Sequence, residues 1–419
     1  MSSDNVKRAR ETNEPSSIDS DKKWIRVCIL AVIGLFLLVL LASQLSEQYS
    51  FHTTRVRYPL IFRESGENRY HTIADIERKI RNDNFLNPFY CEHSISHQTS
   101  KTTTKDVAWD HSTADEESTR RNKKDEQDQS QQYLRTISAF GPCSDTERTL
   151  RVLIVCGQHG RERITTEVCY HLVRLLQLQE QDPLFTPLLQ RLSLRGVGLW
   201  LVPAMNTQIF EQMDEYPEYA CLRKNIRGVD LNRNFDSPSW CRKRVERADE
   251  NSVEFGGHAA HSEVETLALI GLMDRVQPHL LLNIHSGARS ILLPYDCSVS
   301  RMPEHYSLMV RIANSIRKHV CTDCTVGSSA LTLYESAGTL MDYALEFAGI
   351  PLAYTLEVYS DEKAEKKLRH KNEMQLNADE CKRLFNPSEG TVYEETVWEA
   401  IRLILSLVER VQYHAKNIN

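Results

Sequence analysis

Two imidazoles and a carboxylate are the side chains of this sequence with the most chemistry to offer. They come from His159-Gly-Arg-Glu162 and, far downstream, from Asn283-Ile-His285-Ser-Gly287. Such a donor set holds one zinc ion while leaving a coordination position open for water, which the ion acidifies. No thiolate accompanies it, so softer iron or copper sites fit less well. Cys156, three residues before His159, reads as a packing residue by strand alternation. A further carboxylate, Glu357, lies inside Tyr354-Thr-Leu-Glu-Val-Tyr359. Period-2 alternation puts Ala353, Thr355, Glu357 and Tyr359 on one face, and Leu352, Tyr354, Leu356 and Val358 on the other. A carboxylate buried in mid-strand is costly without a partner. Beside a metal it gains one, and it can then take a proton from water and hand it on. Taken singly, each feature has an ordinary reading, as a solvated pair on a helix or a glutamate paired with an arginine. The joint pattern is what points to a reaction centre.

For these groups to meet, strands must deliver them to one place. The apolar run Val152-Leu-Ile-Val-Cys156 leads into His159, and Ile164, Val168, His171, Leu172 and Leu175 follow at the spacing of an amphipathic helix. His159 and Glu162 therefore straddle a strand-to-helix turn. His285 ends the run Leu280-Leu-Leu-Asn-Ile284, so both ligand sets fall at strand ends, where open α/β sheets bind ligands. Other strands are expected at Leu199–Pro203, 290–294 and 351–359. Helices are expected around Ile73, Ile76 and Ile80, across 303–318, around 338–348 and from Trp398 to Val411. Ser262-Glu-Val-Glu265 reads as a capping box opening a helix through Met273. Alternating strands and helices predict an α/β fold, a mixed, largely parallel twisted sheet with helices on both faces.

Between the ligand motifs lies Leu222-Arg-Lys-Asn-Ile-Arg-Gly-Val-Asp-Leu-Asn-Arg-Asn-Phe235. With the motifs and intervals above, the sequence from about Tyr70 onward resembles the zinc carboxypeptidases of the carboxypeptidase A type, the M14 metallopeptidase family. Gly157 to Glu162 and the stretch from Cys321 to Asp361 are most similar to a plant and protist branch. The resemblance implies one Zn2+ per chain held by His159, Glu162 and His285, with Glu357 as general base. It implies that Asn232 and Arg233 bind a substrate's free carboxylate, and that Arg223 stabilises the oxyanion formed during attack, with Arg227 a nearby competitor for that role. Tyr334 matches a tyrosine that closes over substrate, and Arg161 a secondary substrate-binding arginine. Asp230 reads equally as a loop cap, and His258 and His261 as surface residues at a helix entry. Met341 stands where relatives that remove basic residues carry an aspartate. A thioether cannot neutralise lysine or arginine, so neutral apolar or aromatic terminal residues are the expected preference, with Leu333 and Thr355 lining the same pocket. Glu335, or an acidic side chain from 361–380, would change that preference. The length of chain before Tyr70 and after Glu357 leads us to expect neither a propeptide-sized domain nor the β-sandwich that some relatives append.

The implied function is hydrolysis of the C-terminal peptide bond of peptides or proteins. Two other functions compete with it: a noncatalytic peptide-binding or scaffold module, and zinc amidohydrolysis of small acylated amino acids. The chain has 419 residues and a net charge of −6, with 26% charged and 41% hydrophobic residues, and no basic face suited to nucleic acid. A mean hydropathy of −0.44 excludes a multi-span membrane protein. One span is present: Val27 to Ala42 carries no charge or amide, and the flanks extend it to 24–45. Lys7, Arg8, Arg10, Lys22, Lys23 and Arg26 precede it, which keeps a polar tail at 1–23 cytosolic and sends the enzyme to the lumen or outside as a type II protein. The short span favours an endomembrane. Secretion after signal cleavage is the alternative. Residues 46–69 read as a stalk and 70–419 as the catalytic domain, with a disordered polar insertion at about 94–132. Of eleven cysteines, Cys28 lies in the span, leaving an even number that suits an oxidising compartment. Cys221 with Cys241 is the first pairing to test. Cys321-Thr-Asp-Cys324 has no second C-x-x-C to complete a zinc knuckle, so it reads as structural disulfide chemistry or as two cysteines with separate partners.

Overall fold

The computed structural model describes residues 70–82, 90–95, 137–142, 148–177, 185–241, 249–368, 370–371 and 375–414. The polar tail, the span at 24–45, the stalk and all but the first two residues of the 94–132 insertion lie outside them. Among the described residues no helix is long and apolar enough to cross a membrane.

One eight-stranded sheet carries the fold, in the order β1-β2-β4-β3-β5-β8-β6-β7. The strands are β1 (Tyr90–Ile95), β2 (Ile137–Pro142), β3 (Leu150–Val155), β4 (Val197–Val202), β5 (Leu280–His285), β6 (Ala288–Leu293), β7 (Thr325–Ser328) and β8 (Leu352–Tyr359). The central run β4-β3-β5-β8 is parallel, as is β6 with β7. Antiparallel pairing joins β6 to β8, and β1 and β2 extend the other edge as an antiparallel pair. The sheet is thus mixed, with a parallel centre. β1 and β2 were not legible in the sequence. Tyr90-Cys-Glu-His-Ser-Ile95 has little apolar character, and its partner lies across the polar insertion, with Ile95 paired to Ile137.

Each parallel strand is apolar on both sides because helices cover both faces. Val152 and Ile154 of β3 pack into one layer with α1 (Ile73–Asn82), α2 (Arg163–Gln177), α6 (Tyr306–His319) and α11 (Thr391–His414). Leu153 and Val155 point into the other, with α5 (Val264–Val276) and α8 (Leu340–Glu346). Each fully buried Leu or Ile stabilises the fold by about 1.5–3 kcal/mol, so both layers are needed. Shorter helices α3 (Thr186–Leu194), α4 (Thr207–Glu215), α7 (Ser329–Thr332), α9 (Glu362–Leu368) and α10 (Ala378–Phe385) complete the order. The capping box expected at Ser262 does not form. Helix α5 starts at Val264 after Glu263, with no side-chain cap. Tertiary partners win there: Asn225 Nδ2 donates to Glu263 at 2.7 Å and to Glu265 at 3.4 Å, while Ser262 Oγ accepts from Asn234.

The cysteines pair differently from the expected Cys221–Cys241. Cys221 bonds Cys381 in α10, and Cys241 bonds Cys297 after β6. Cys156 bonds Cys169, and Cys321 bonds Cys324. Residues 221 and 241 bracket a loop in the sequence, but the loop docks its two ends on different neighbours. Cys221–Cys381 spans 160 residues and ties the Arg223 segment to α10. Replacing both cysteines by serine should lower stability by about 2–5 kcal/mol. Denaturant midpoints would measure this, and non-reducing peptide mapping should recover the 221–381 fragment.

Candidate functional site

Strands β3, β5 and β8 run parallel, so their carboxyl ends open at one edge, and the candidate residues assemble there. After Val155 the chain turns at Gly157, whose φ of +65° is a conformation L side chains rarely adopt. A Cβ there would sit 2.8 Å from Thr166 and 2.9 Å from the Ala204 backbone. At Gly160 a Cβ would lie 2.8 Å from the Leu222 carbonyl oxygen. This close approach docks the loop, since Arg161 N donates to that oxygen at 2.6 Å. Thr165 Oγ1 accepts from Gly157 N at 3.0 Å and donates to Glu162 O at 2.8 Å, pinning the turn that aims Glu162.

His159, Glu162 and His285 converge as a buried trio whose ligand atoms lie within 4.8 Å of one another. Nδ1 of His159 lies 2.7 Å from Glu162 Oε1, and Nδ1 of His285 lies 2.8 Å from Glu162 Oε2. The outer nitrogens are also engaged. His159 Nε2 faces Asp230 at 3.0 Å, and His285 Nε2 faces Gln158 Oε1 at 3.1 Å. A neutral imidazole donates from one nitrogen only. In the tautomer where Nε2 donates outward to a carboxylate and an amide oxygen, both Nδ1 lone pairs point at the same carboxylate. That arrangement of three donors calls for a cation, and outer partners of this kind usually orient metal-bound histidines. Burial alone would raise the Glu162 carboxyl, but with the two imidazoles protonated their charge and their hydrogen bonds hold it well below the usual range. Zinc chemistry suits the set, which offers two nitrogens and a carboxylate oxygen.

Glu357 is the register neighbour of His285 across β5 and β8. As alternation predicts, Ala353 packs in one layer and Leu352, Tyr354, Leu356 and Val358 in the other; Tyr359, at the strand end, packs toward that second layer. Glu357 Oε2 is buried and has no hydrogen-bond partner among the described residues. Burial pushes its carboxyl up to about 7, with Glu162 adding to the rise and His285 and Arg223 opposing it.

The basic residues gather around Asp230. Its carboxylate accepts from Arg223 Nε at 2.8 Å and from Asn232 N at 2.9 Å while facing His159. Asp230 therefore caps its loop and orients the site at once. Burial works against its ionisation, but Arg223, His159 and Arg233 hold its carboxyl well below the usual range. Arg223 Nη1 comes within 3.9 Å of Glu162, whereas Arg227 points away to Glu263 with a side chain 59% exposed. Of the two, Arg223 is the one in the site. Asn232 Oδ1 accepts from Leu340 N at 3.0 Å, which fixes the amide beside α8. Arg233 is buried, and its Nη2 donates to Tyr334 Oη at 3.2 Å and to Glu254. Arg161 is also buried, 4.1 Å over the Phe385 ring, and lines a 710 Å³ cavity with Arg163, Lys382 and Arg383; none of the three candidate ligands lines it. Met341 is buried, and Thr355 Oγ1 lies 3.7 Å from its sulfur, while Leu333 is exposed.

Four residues escaped the sequence reading: Gln158, Asn283, Asp296 and Glu254. Asn283 shares a strand face with His285 and donates to Gln158 Oε1 at 3.0 Å, a relation that alternation alone could have suggested. Asp296 follows β6, in the electrostatic reach of Arg233 and His285; burial raises its carboxyl against hydrogen bonds from Ser329 and Thr339. Among the described residues, neither Glu335 nor the 361–380 segment supplies that buried carboxylate. His258 is exposed, and His261 accepts from Asp236 N, so neither joins the ligands.

Two other clusters offer ligand atoms among the described residues. In His71, Glu167 and His171 the carboxylate already accepts from the His71 backbone at 2.6 Å and from Tyr393 at 2.8 Å, and it faces the His71 ring at 2.8 Å. Lys79 Nζ stands 3.4 Å from that ring. This is a hydrogen-bonded joint between α1, α2 and α11, with a cation already beside it. In the third cluster the sulfurs of Cys321 and Cys324 are joined to each other.

The sheet and its edge define a mixed α/β protein with a buried His-Glu-His trio that could hold a metal ion and a carboxylate one strand away. The chain belongs to the zinc carboxypeptidase (peptidase M14) family, whose model matches residues 108–385. It is 30% identical to carboxypeptidase O of Bos taurus over 215 residues, 48% of this chain and 55% of that protein. It is 30% identical to carboxypeptidase B2 of Mus musculus over 222 residues, 49% of this chain and 50% of that protein. The aligned region thus spans about half the length of these curated relatives. Among solved structures, bovine thrombin-activatable fibrinolysis inhibitor in complex with tick carboxypeptidase inhibitor superposes with a TM-score of 0.58 at 18% identity, covering 84% of this chain and 100% of that one. The carboxypeptidase A of Helicoverpa armigera gives a TM-score of 0.58 at 17% identity, covering 83% and 75%. At such identities the superpositions establish the fold.

Proposed function

We propose that this chain is a membrane-anchored zinc metallocarboxypeptidase that hydrolyses the C-terminal peptide bond of peptides or proteins. The observation that carries the reading is the convergence of His159, Glu162 and His285 beside the unpartnered carboxylate oxygen of Glu357. Zinc held by that trio would polarise the scissile carbonyl and acidify water. Glu357 takes a proton from the attacking water and delivers it to the leaving amine. Arg223, braced by Asp230, faces the charge that develops on the carbonyl oxygen. Asn232 and Arg233 hold the terminal carboxylate, Tyr334 closes over it, and Arg161 contacts residues further back.

A noncatalytic scaffold has no need of a glutamate that leaves one buried carboxylate oxygen without a hydrogen bond next to a ligand trio. An amidohydrolase acting on small acylated amino acids makes less use of the Asn232, Arg233 and Tyr334 set. Met341 in the terminal-residue pocket supports release of neutral apolar or aromatic residues. Asp296 favours a second preference, for basic residues, because a buried carboxylate near Arg233 would pair with a cationic side chain. Release rates from peptides ending in Phe, Leu, Lys and Glu decide the matter. Phe and Leu should lead by at least about tenfold, the scale of one or two well-filled apolar contacts. Faster release of Lys would assign the pocket to Asp296. The apolar stretch at 24–45 and the four disulfides of the described region support a type II anchor with the enzyme in a lumenal or extracellular, oxidising compartment.

A further inference from the structure

Arg233, the residue assigned to the substrate's carboxylate, already binds one. Its Nη2 donates to Glu254 Oε1, and the same oxygen accepts from Tyr334 Oη at 2.9 Å. Those are the two groups that should grip an incoming C-terminus, so Glu254 stands where such a terminus would dock.

The fold builds this contact deliberately. Glu254 lies in the loop between Asp249 and Gly256, which is tied to the Arg223–Asp230 segment at several points. Asp230 N donates to Phe255 O at 2.7 Å. Lys224 Nζ donates to Glu250 O and Ser252 O at 2.9 Å each, and Glu254 N donates to Ser252 Oγ at 3.1 Å. The loop is thus fastened on both sides of Glu254, whose side chain retains 21% exposure against 6% for Arg233. A group so placed is within reach of solvent and of an arriving ligand. It is also ionised: burial works against this, but Arg233 and the Tyr334 hydroxyl hold its carboxyl below the usual range.

We propose that Glu254 is an internal competitor for the carboxylate clamp, occupying Arg233 and Tyr334 until a substrate C-terminus displaces it. It thereby sets the affinity for every ligand bearing a free terminal carboxylate. The inference rests on the assignment of Arg233 and Tyr334 to substrate binding. The exchange trades one charge-assisted pair for another, and the cost of breaking the internal pair is subtracted from substrate binding.

The test uses the full chain depleted of zinc, so that binding is read without turnover. Titration calorimetry compares a peptide ending in a free carboxylate with the same peptide ending in an amide, for wild type, Glu254→Gln and Glu254→Ala. The expected result is about tenfold tighter binding of the carboxylate peptide by both variants, the scale of one hydrogen bond to a charged group, with the amide peptide unchanged. With zinc restored, KM for release should fall by a similar factor. Unchanged or weaker carboxylate binding in both variants overturns the proposal, and weaker binding would make Glu254 a support that positions Arg233. Tighter carboxylate binding in a protein that releases no terminal residue would still establish Glu254 as competitor while refuting hydrolysis.

Discussion

Glu357→Gln should lower kcat by about 10²–10⁴-fold, the range for loss of a positioned general base, with zinc content unchanged. The substitution keeps the shape of a side chain that packs mid-strand next to His285 but removes its ability to accept a proton. The pH profile gives an independent reading. A general base works ionised, so kcat/KM falls as pH drops through its pKa, about tenfold per unit once well below it. Burial pushes Glu357 up to about 7. A bound cation stabilises the carboxylate, so the acid limb should appear at or below about 7. The glutamine variant should lack that limb in its residual activity. Full activity in Glu357→Gln would remove the residue from the mechanism.

The second large effect concerns the metal. Zinc that binds only the folded protein stabilises it by mass action, by about 2.7 kcal/mol at a hundredfold excess over Kd. In a domain of about 350 residues that corresponds to a rise in Tm on the order of 4 °C. His285→Ala should abolish both the rise and the activity, because Glu162 would keep one imidazole partner where it now has two. Thermal scans with zinc and with a chelator measure this. A variant that binds zinc and gains stability like wild type would exclude His285 from the centre.

How much of this was legible in the sequence depended on whether the relation was local. His159 and Glu162 sit on one turn, and the apolar runs before His159 and around Glu357 announced strands, so the elements carrying these side chains could be placed from pattern, while their roles as ligands and base came from the family resemblance. Helix α11 was found but begun too late, since Thr391 to Val397 has few apolar residues to mark a face; Tyr393 and Val397 are nonetheless fully buried. The missed relations were tertiary. Cys221 seeks Cys381 across the domain, and Ser262 gives up its cap to an Asn234 that arrives from another loop. Glu254 could not be distinguished from any surface glutamate until Arg233 and Tyr334 were seen to close on it. Asp296 was hidden for the same reason, since only the folded chain brings it near Arg233.

The account's central claim is that one ion sits among His159, Glu162 and His285. Anomalous diffraction from zinc-loaded crystals, collected on both sides of the zinc absorption edge, addresses it directly. A single peak is predicted within about 2.0–2.2 Å of Nδ1 of both histidines and a Glu162 oxygen, the usual range for zinc with nitrogen and carboxylate ligands. A zinc peak at His71, Glu167 and His171 with nothing at the strand ends would contradict it.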